Sequence, residues 1–165
     1  MTELLGFDFA AALDSFARLA IAFVLSLPVA LEREKEDKPL GLRTFPLVAI
    51  ASTAYVMVGK IAFPGDAGAQ ARIIQGLITG IGFVGAGAII KEGMDISGTA
   101  TAASIWATAA LGAAVAYNRF EIAVVLALTN FLVLRSLEPV SKGISDRVER
   151  LDGKVEEMVE KKLEE

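Results

Sequence analysis

The stretch Gly80 to Gly87 reads GIGFVGAG and holds GxGxxG in its first six residues, a spacing that can cradle a dinucleotide pyrophosphate. That chemistry needs a strand before the glycines, a helix after them and an acid about 20 residues on. The flanks are instead RIIQGLIT and AII, and the window about 20 residues on is TAASIW, so the dinucleotide reading fails on context. The chain has no cysteine and no histidine, which removes thiolate nucleophiles, imidazole bases, disulfides and Cys/His zinc sites. A hydrolase would need a Ser/Lys pair or two carboxylates, and neither stands out, so a non-enzymatic protein without a cofactor is expected. Any metal would have to sit among oxygen ligands, which suits magnesium or calcium. The remaining polar candidates lie in or beside apolar stretches, where each is costly and faces a partner or a cavity. Asp14 and Arg18 stand at i and i+4, able to pair on one helix face. Glu32 and Arg33 face Arg43 and Thr44 across one short loop, which reads as an interhelical charge network or as long side chains reaching to the interface. Asp66, Arg72 and Gln75 cluster in sequence, and Asn130 sits mid-way in an apolar run, where its amide is expected to find a helix partner.

The elements that must position these groups follow from hydropathy. The 165 residues are 54% hydrophobic, with a mean hydropathy of +0.55, and the charge is segregated into connections and a tail. A bilayer core about 30 Å thick needs roughly 20 mainly apolar helical residues. Five stretches qualify, at residues 13–31, 44–63, 72–90, 99–117 and 120–137, the first being interrupted by Asp14, Arg18 and Pro28. GMDISG reads as a turn between the third and fourth. The sequence therefore predicts an all-α, polytopic membrane helix bundle of five transmembrane helices over residues 1–137, embedded in a lipid bilayer. Residues 138–165 are predicted as a short C-terminal cytoplasmic helix, amphipathic or coiled-coil, with Ile144, Val148, Leu151, Val155 and Met158 in one stripe. Arg33, Lys35, Lys38 and Arg43, and the tail's Lys and Arg, place the N-terminus outside and the C-terminus inside. Acids and bases are intermixed at a net charge of −4, so nucleic acid is not an expected partner.

Within the third stretch Gly76 and Gly80 form GxxxG, Gly80 and Gly87 are seven apart, and Gly82 and Ala86 form another small pair. Small residues let helix backbones approach closely in lipid. The fourth stretch is almost all Ala, Gly, Ser and Thr around one Trp106, so the two are expected to pack as a tight hairpin. The alternative is that they line a path with glycine backbone and the hydroxyls of Thr79, Thr101, Ser104 and Thr108.

LERE (31–34), GLRT (41–44), RIIQGLITGIGFVGAGAII and GTATAASIWATAALGAAVA, in that order, resemble the membrane domain of the MgtC/SapB family over residues 18–137. Carried over by position, the family's pattern falls on Arg18, Glu32, Arg33, Gly41, Leu42, Arg43, Thr44, Asp66, Arg72, Gly80, Gly82, Gly85, Gly87, Gly98, Thr99, Thr101, Ala102, Ala103 and Trp106. The chain departs from it in SLPVALERE, where the family has a glycine-containing first-helix end. It looks like the shorter SapB/YhiD-type branch, without the ACT-like C-terminal domain of the virulence proteins. The resemblance implies a bacterial inner-membrane protein linked to magnesium limitation, acid stress or survival in host cells. It further implies a regulator, acting on another membrane complex such as the ATP synthase, in preference to a transporter of magnesium, another cation or a small solute. A homodimer acting through its helix faces is expected.

Overall fold

A computed structural model describes residues 8–35, 41–92 and 95–137, with single positions at 143, 147 and 151. Among the described residues up to 137, five helices run in chain order: α1 (Phe9–Lys35), α2 (Thr44–Ala62), α3 (Ala67–Ala86), α4 (Thr99–Ala116) and α5 (Phe120–Leu137). Between α3 and α4 lies a small antiparallel hairpin, β1 (Ile90–Glu92) and β2 (Asp95–Ser97), in the register Ile90↔Ser97, Lys91↔Ile96, Glu92↔Asp95. The predicted tail stripe falls outside the described residues apart from Leu151, which is helical.

The predicted bounds of two helices are corrected. The first helix is longer than the apolar window. Asp8 starts it, its Oδ1 accepting from Ala10 N at 2.9 Å and Ala11 N at 3.1 Å, and Pro28 lies inside it without ending it. The third helix begins five residues early, because Asp66 caps it by accepting from Ala69 N at 2.9 Å. It also ends at Ala86, since Ala88 N turns back to Gly85 O and Ile90 joins a strand. Asp95 to Ser97, read as turn, pair with that strand, which gives the backbone between two helices its hydrogen bonds.

Among the described residues four helices, α1, α2, α4 and α5, are long and apolar enough to cross a membrane. The 20 residues of α3 would span about 30 Å, but Gln70, Arg72, Gln75 and its glycines make it less apolar. The side-chain distribution inverts that of a water-soluble bundle. Buried positions are mostly small, as in the cluster of Ala22, Ala49, Leu111, Ala114, Val115, Ala123 and Ala127. Large apolar groups such as Phe16, Tyr55, Val58, Ile61 and Val125 point outward. In lipid no hydrophobic force draws helices together, so close packing of small residues has to do so. In the unit that runs to Phe131, α4 packs against α1, α2 and α3, and α5 joins through Ala123 and Ala127.

Among the described glycines that face another helix, the closest backbone approach is at Gly112, between α2 and α4. A Cβ on Gly112 would strike Ala49 O and come within 2.9 Å of Ser52 Cβ. α3 does pack on α4, through Gly85, where a Cβ would lie 3.4 Å from Ala102 O. Gly76, Gly80 and Gly82, however, face open space. Both helices carry small residues on several faces, so composition could not choose which of them would meet.

Candidate functional site: two polar ends and a lateral groove

Successive antiparallel helices divide the predicted polar network between the two ends of the bundle. At one end, α1 finishes in Glu32 and Arg33 and α2 starts after Arg43. Arg33 is buried, Glu32 and Thr44 are half-buried and Arg43 is exposed. The group that closes this loop is Glu34, whose Oε2 accepts from Leu42 N at 3.0 Å. Its backbone lies so near Gly41 that a Cβ there would be 3.0 Å from Glu34 Cα. Gly98, with φ +84°, starts α4 at the same end, and any side chain on it would run into the carbonyl of Ala88. Thr99 beside it is exposed, and Gly87 ends α3 in an ordinary right-handed conformation.

At the opposite end α1 begins, α2 finishes, α3 begins and the α4–α5 turn closes. Arg18 Nε bonds Asp14 Oδ2 at 2.7 Å, as the spacing predicts. Its guanidinium also donates to Asn118 Oδ1, which ties α1 to the α4–α5 turn. Asn118 has φ +60°, a left-handed position that asparagine tolerates. Lys60, in the last turn of α2, donates to Ala116 O at 2.9 Å and lies 5.1 Å from the Tyr117 ring. A cation there answers the partial negative charge at the end of α4 and adds a cation–π contact. Gln70 donates to Phe63 O at 3.0 Å, binding α3 to the end of α2. Asp66 is spent on its cap and Arg72 is exposed, with no salt bridge between them.

Arg43 and Arg72 therefore stand at opposite ends of the bundle, so the cluster around Glu32 and Arg43 and the one around Asp66 and Arg72 are separate. Sequence spacing says nothing of which helix ends coincide. Glu34, Lys60 and Asn118 escaped the sequence reading; the signals available were a second acid in LERE, a base in the last turn of a helix and an asparagine in a turn.

Between the ends, Thr53, Asn130, Ser104 and Thr108 find their hydrogen-bond partners inside the bundle. Thr53 Oγ1 lies 2.8 Å from Ala49 O and 2.9 Å from Gly112 O, bridging α2 to α4. Asn130 Nδ2 donates to Ser104 O at 3.3 Å, the helix partner expected for it. Ser104 and Thr108 donate to carbonyls of their own helix, and Thr101 is buried beside them. Thr79 faces outward on α3 and donates to Gln75 O at 2.9 Å, so the four hydroxyls line no common path. Trp106 is exposed on α4.

On the side of the bundle a groove lies between α2 and α3. The two helices meet where Gly59 abuts Ile73, and a cavity of about 650 Å³ opens alongside. Leu47, Ser52 and Tyr55 line one wall, and Gly76, Gly80 and Val84 the other. Among the described residues no group of three or more acids is placed to hold a metal ion.

The MgtC family profile matches residues 19–142. The chain is 34% identical to the slr0014 protein of Synechocystis sp. over 132 residues, 80% of this chain and 56% of that protein. It is 33% identical to SrpB of Synechococcus elongatus over 138 residues, 76% of this chain and 75% of SrpB. To YhiD of Escherichia coli it is 32% identical over 123 residues, 71% of this chain and 57% of YhiD. The chain thus spans little more than half the length of two of these relatives. No solved structure gives a significant match. The ordered LERE, GLRT and glycine-rich segments, the multi-pass helical bundle that carries them and a profile covering nearly all of its helices place this chain in the MgtC family of membrane proteins.

Proposed function

We propose that the chain is a bacterial inner-membrane protein crossing the bilayer five times, N-terminus outside and C-terminus in the cytoplasm. It acts as a non-enzymatic regulator linked to magnesium limitation or acid stress, by contact of its helix faces with other membrane proteins. The ATP synthase, to which the family resemblance points, is the first partner to test. The observation that carries this reading is the internal satisfaction of Thr53 and Asn130 midway along the bundle. Thr53 and Asn130 each bond a carbonyl of α4, which leaves the outer faces as the places where binding specificity can reside.

The name of YhiD speaks of magnesium transport, which makes flux the competing reading. Two measurements separate them. Sealed proteoliposomes should show magnesium and proton flux no greater than empty vesicles. In cells grown at low magnesium, photo-crosslinkers on exposed helix faces should capture a membrane complex. Gradient-driven flux that falls when Asn130 is replaced by Leu would establish transport and overturn the regulator.

A further inference from the structure

The groove between α2 and α3 carries no charge on its walls. Apart from the hydroxyls of Thr44, Ser52 and Tyr55, its lining is hydrocarbon and glycine. Such a surface takes an apolar occupant, because a charge brought into it would lose its water without gaining a partner. The rims are open: Leu47, Tyr55, Gly76 and Gly80 are exposed, so whatever fills the groove reaches it sideways from the bilayer.

Its length, section and mouth indicate what that occupant is. At the closed end Gly59 abuts Ile73; beyond this contact the helices part, and a Cβ on Gly76 or Gly80 would meet nothing within 4 Å. Thr44 to Tyr55 on one wall and Ile73 to Val84 on the other each rise about 16 Å, half of a bilayer core about 30 Å thick. The groove is one leaflet deep. Over that length its volume of about 650 Å³ gives a mean section of about 40 Å², roughly half that of a helix 10 Å across. An extended chain lies inside such a groove, whereas a helix only rests on it. The open end is charged. Arg43, the residue before Thr44, is exposed, does not cap α2 and forms no salt bridge among the described residues. The acid that closes the same loop, Glu34, has its Oε2 accepting from Leu42 N. A guanidinium at the mouth of an apolar groove one leaflet deep matches a phosphate joined to an acyl chain.

We propose that the α2/α3 groove is a phospholipid site: one acyl chain lies along it as far as Tyr55, and the phosphate of an anionic headgroup pairs with Arg43. The site goes beyond the helix-face reading above and rests on it only for the crossing of α3 and for the leaflet, the cytoplasmic one.

The full chain, reconstituted in nanodiscs of equal phosphatidylglycerol and phosphatidylethanolamine, should keep a phospholipid in native mass spectrometry, phosphatidylglycerol several-fold over phosphatidylethanolamine. Gly80→Leu, which fills the groove, should lower retention several-fold with the helical circular dichroism unchanged. Arg43→Gln, at an exposed position, should abolish the preference for phosphatidylglycerol while a lipid is still retained. If Gly80→Leu does not fold, Arg43→Gln decides, together with a phosphatidylglycerol bearing a photoactivatable acyl chain, which should label residues 47–55 and 76–84 several-fold more than α5. A chain that keeps no lipid, a folded Gly80→Leu that keeps as much as the parent, a headgroup preference indifferent to Arg43→Gln, labelling equal on α5, or a second polypeptide held at the groove in place of lipid would each overturn the proposal. Retention is read on the purified chain alone, so its failure is distinct from failure to capture a regulatory partner or of α3 to cross, both of which are read in cells.

Discussion

At the scale of single residues, glycines of similar sequence context have opposite duties. Gly112 is where α2 and α4 touch, and a methyl group there has only Ala49 O, Ser52 and Thr53 to displace. Gly112→Ala should destabilise the folded chain by about 1–3 kcal/mol, the usual effect of overpacking. Gly76→Ala meets nothing within the chain and should stay within about 0.5 kcal/mol of the parent, as for an uncrowded surface change. Denaturation titrations in detergent compare the two. Equal effects would refute the assignment of Gly112 to the closest contact. Thr53 makes a parallel case. Thr53→Val keeps the volume and removes the hydroxyl that bridges to Gly112 O, and the same titration should record a loss of about 0.6–1.7 kcal/mol, the range of interhelical hydrogen bonds in membranes.

At the scale of elements, each connection is set by a residue whose conformation or cap it requires. Gly98 joins the hairpin to α4 at φ +84°, against the carbonyl of Ala88. Gly98→Ala combines a left-handed Cβ penalty of about 1–2 kcal/mol with that collision, so a larger loss is expected than for Gly76→Ala, seen as a lowered unfolding midpoint. Gly87→Ala should cost far less, because that glycine already has right-handed angles that alanine adopts. The family pattern marks both glycines alike; only the backbone angles tell them apart. Asp66, an element away, was visible in sequence as a polar residue near Arg72, yet its carboxylate is used to start α3.

At the scale of the whole molecule, the distribution of lysine and arginine and the lower apolarity of α3 make opposing demands. If α3 crosses the bilayer, residues 65 and 96 lie on opposite faces of the membrane; if it does not, they share one. Impermeant thiol labelling of Gly65→Cys and Ile96→Cys in intact cells should modify the first and spare the second. Labelling of both would reduce the crossings to four. The exposed Arg72 and Gln75 on α3 are what make it less apolar than its neighbours.

The sequence by itself determined the helices, since twenty apolar residues in lipid have few alternatives to satisfying their backbone internally. It also located the breaks between helices, though not the strand pair at 90–97, and with them the Asp14–Arg18 pair and the need of Asn130 for a partner, all of which depend on neighbours along the chain or on the solvent. Tertiary structure alone decided that Gly112 and not Gly76 or Gly80 sits at the closest contact, that Arg43 and Arg72 lie at opposite ends, and that Glu34, Lys60 and Asn118 close the bundle. Those outcomes depend on which faces of different helices meet. When nearly every helix carries small residues on more than one side, periodicity along one helix cannot specify its rotation against the next.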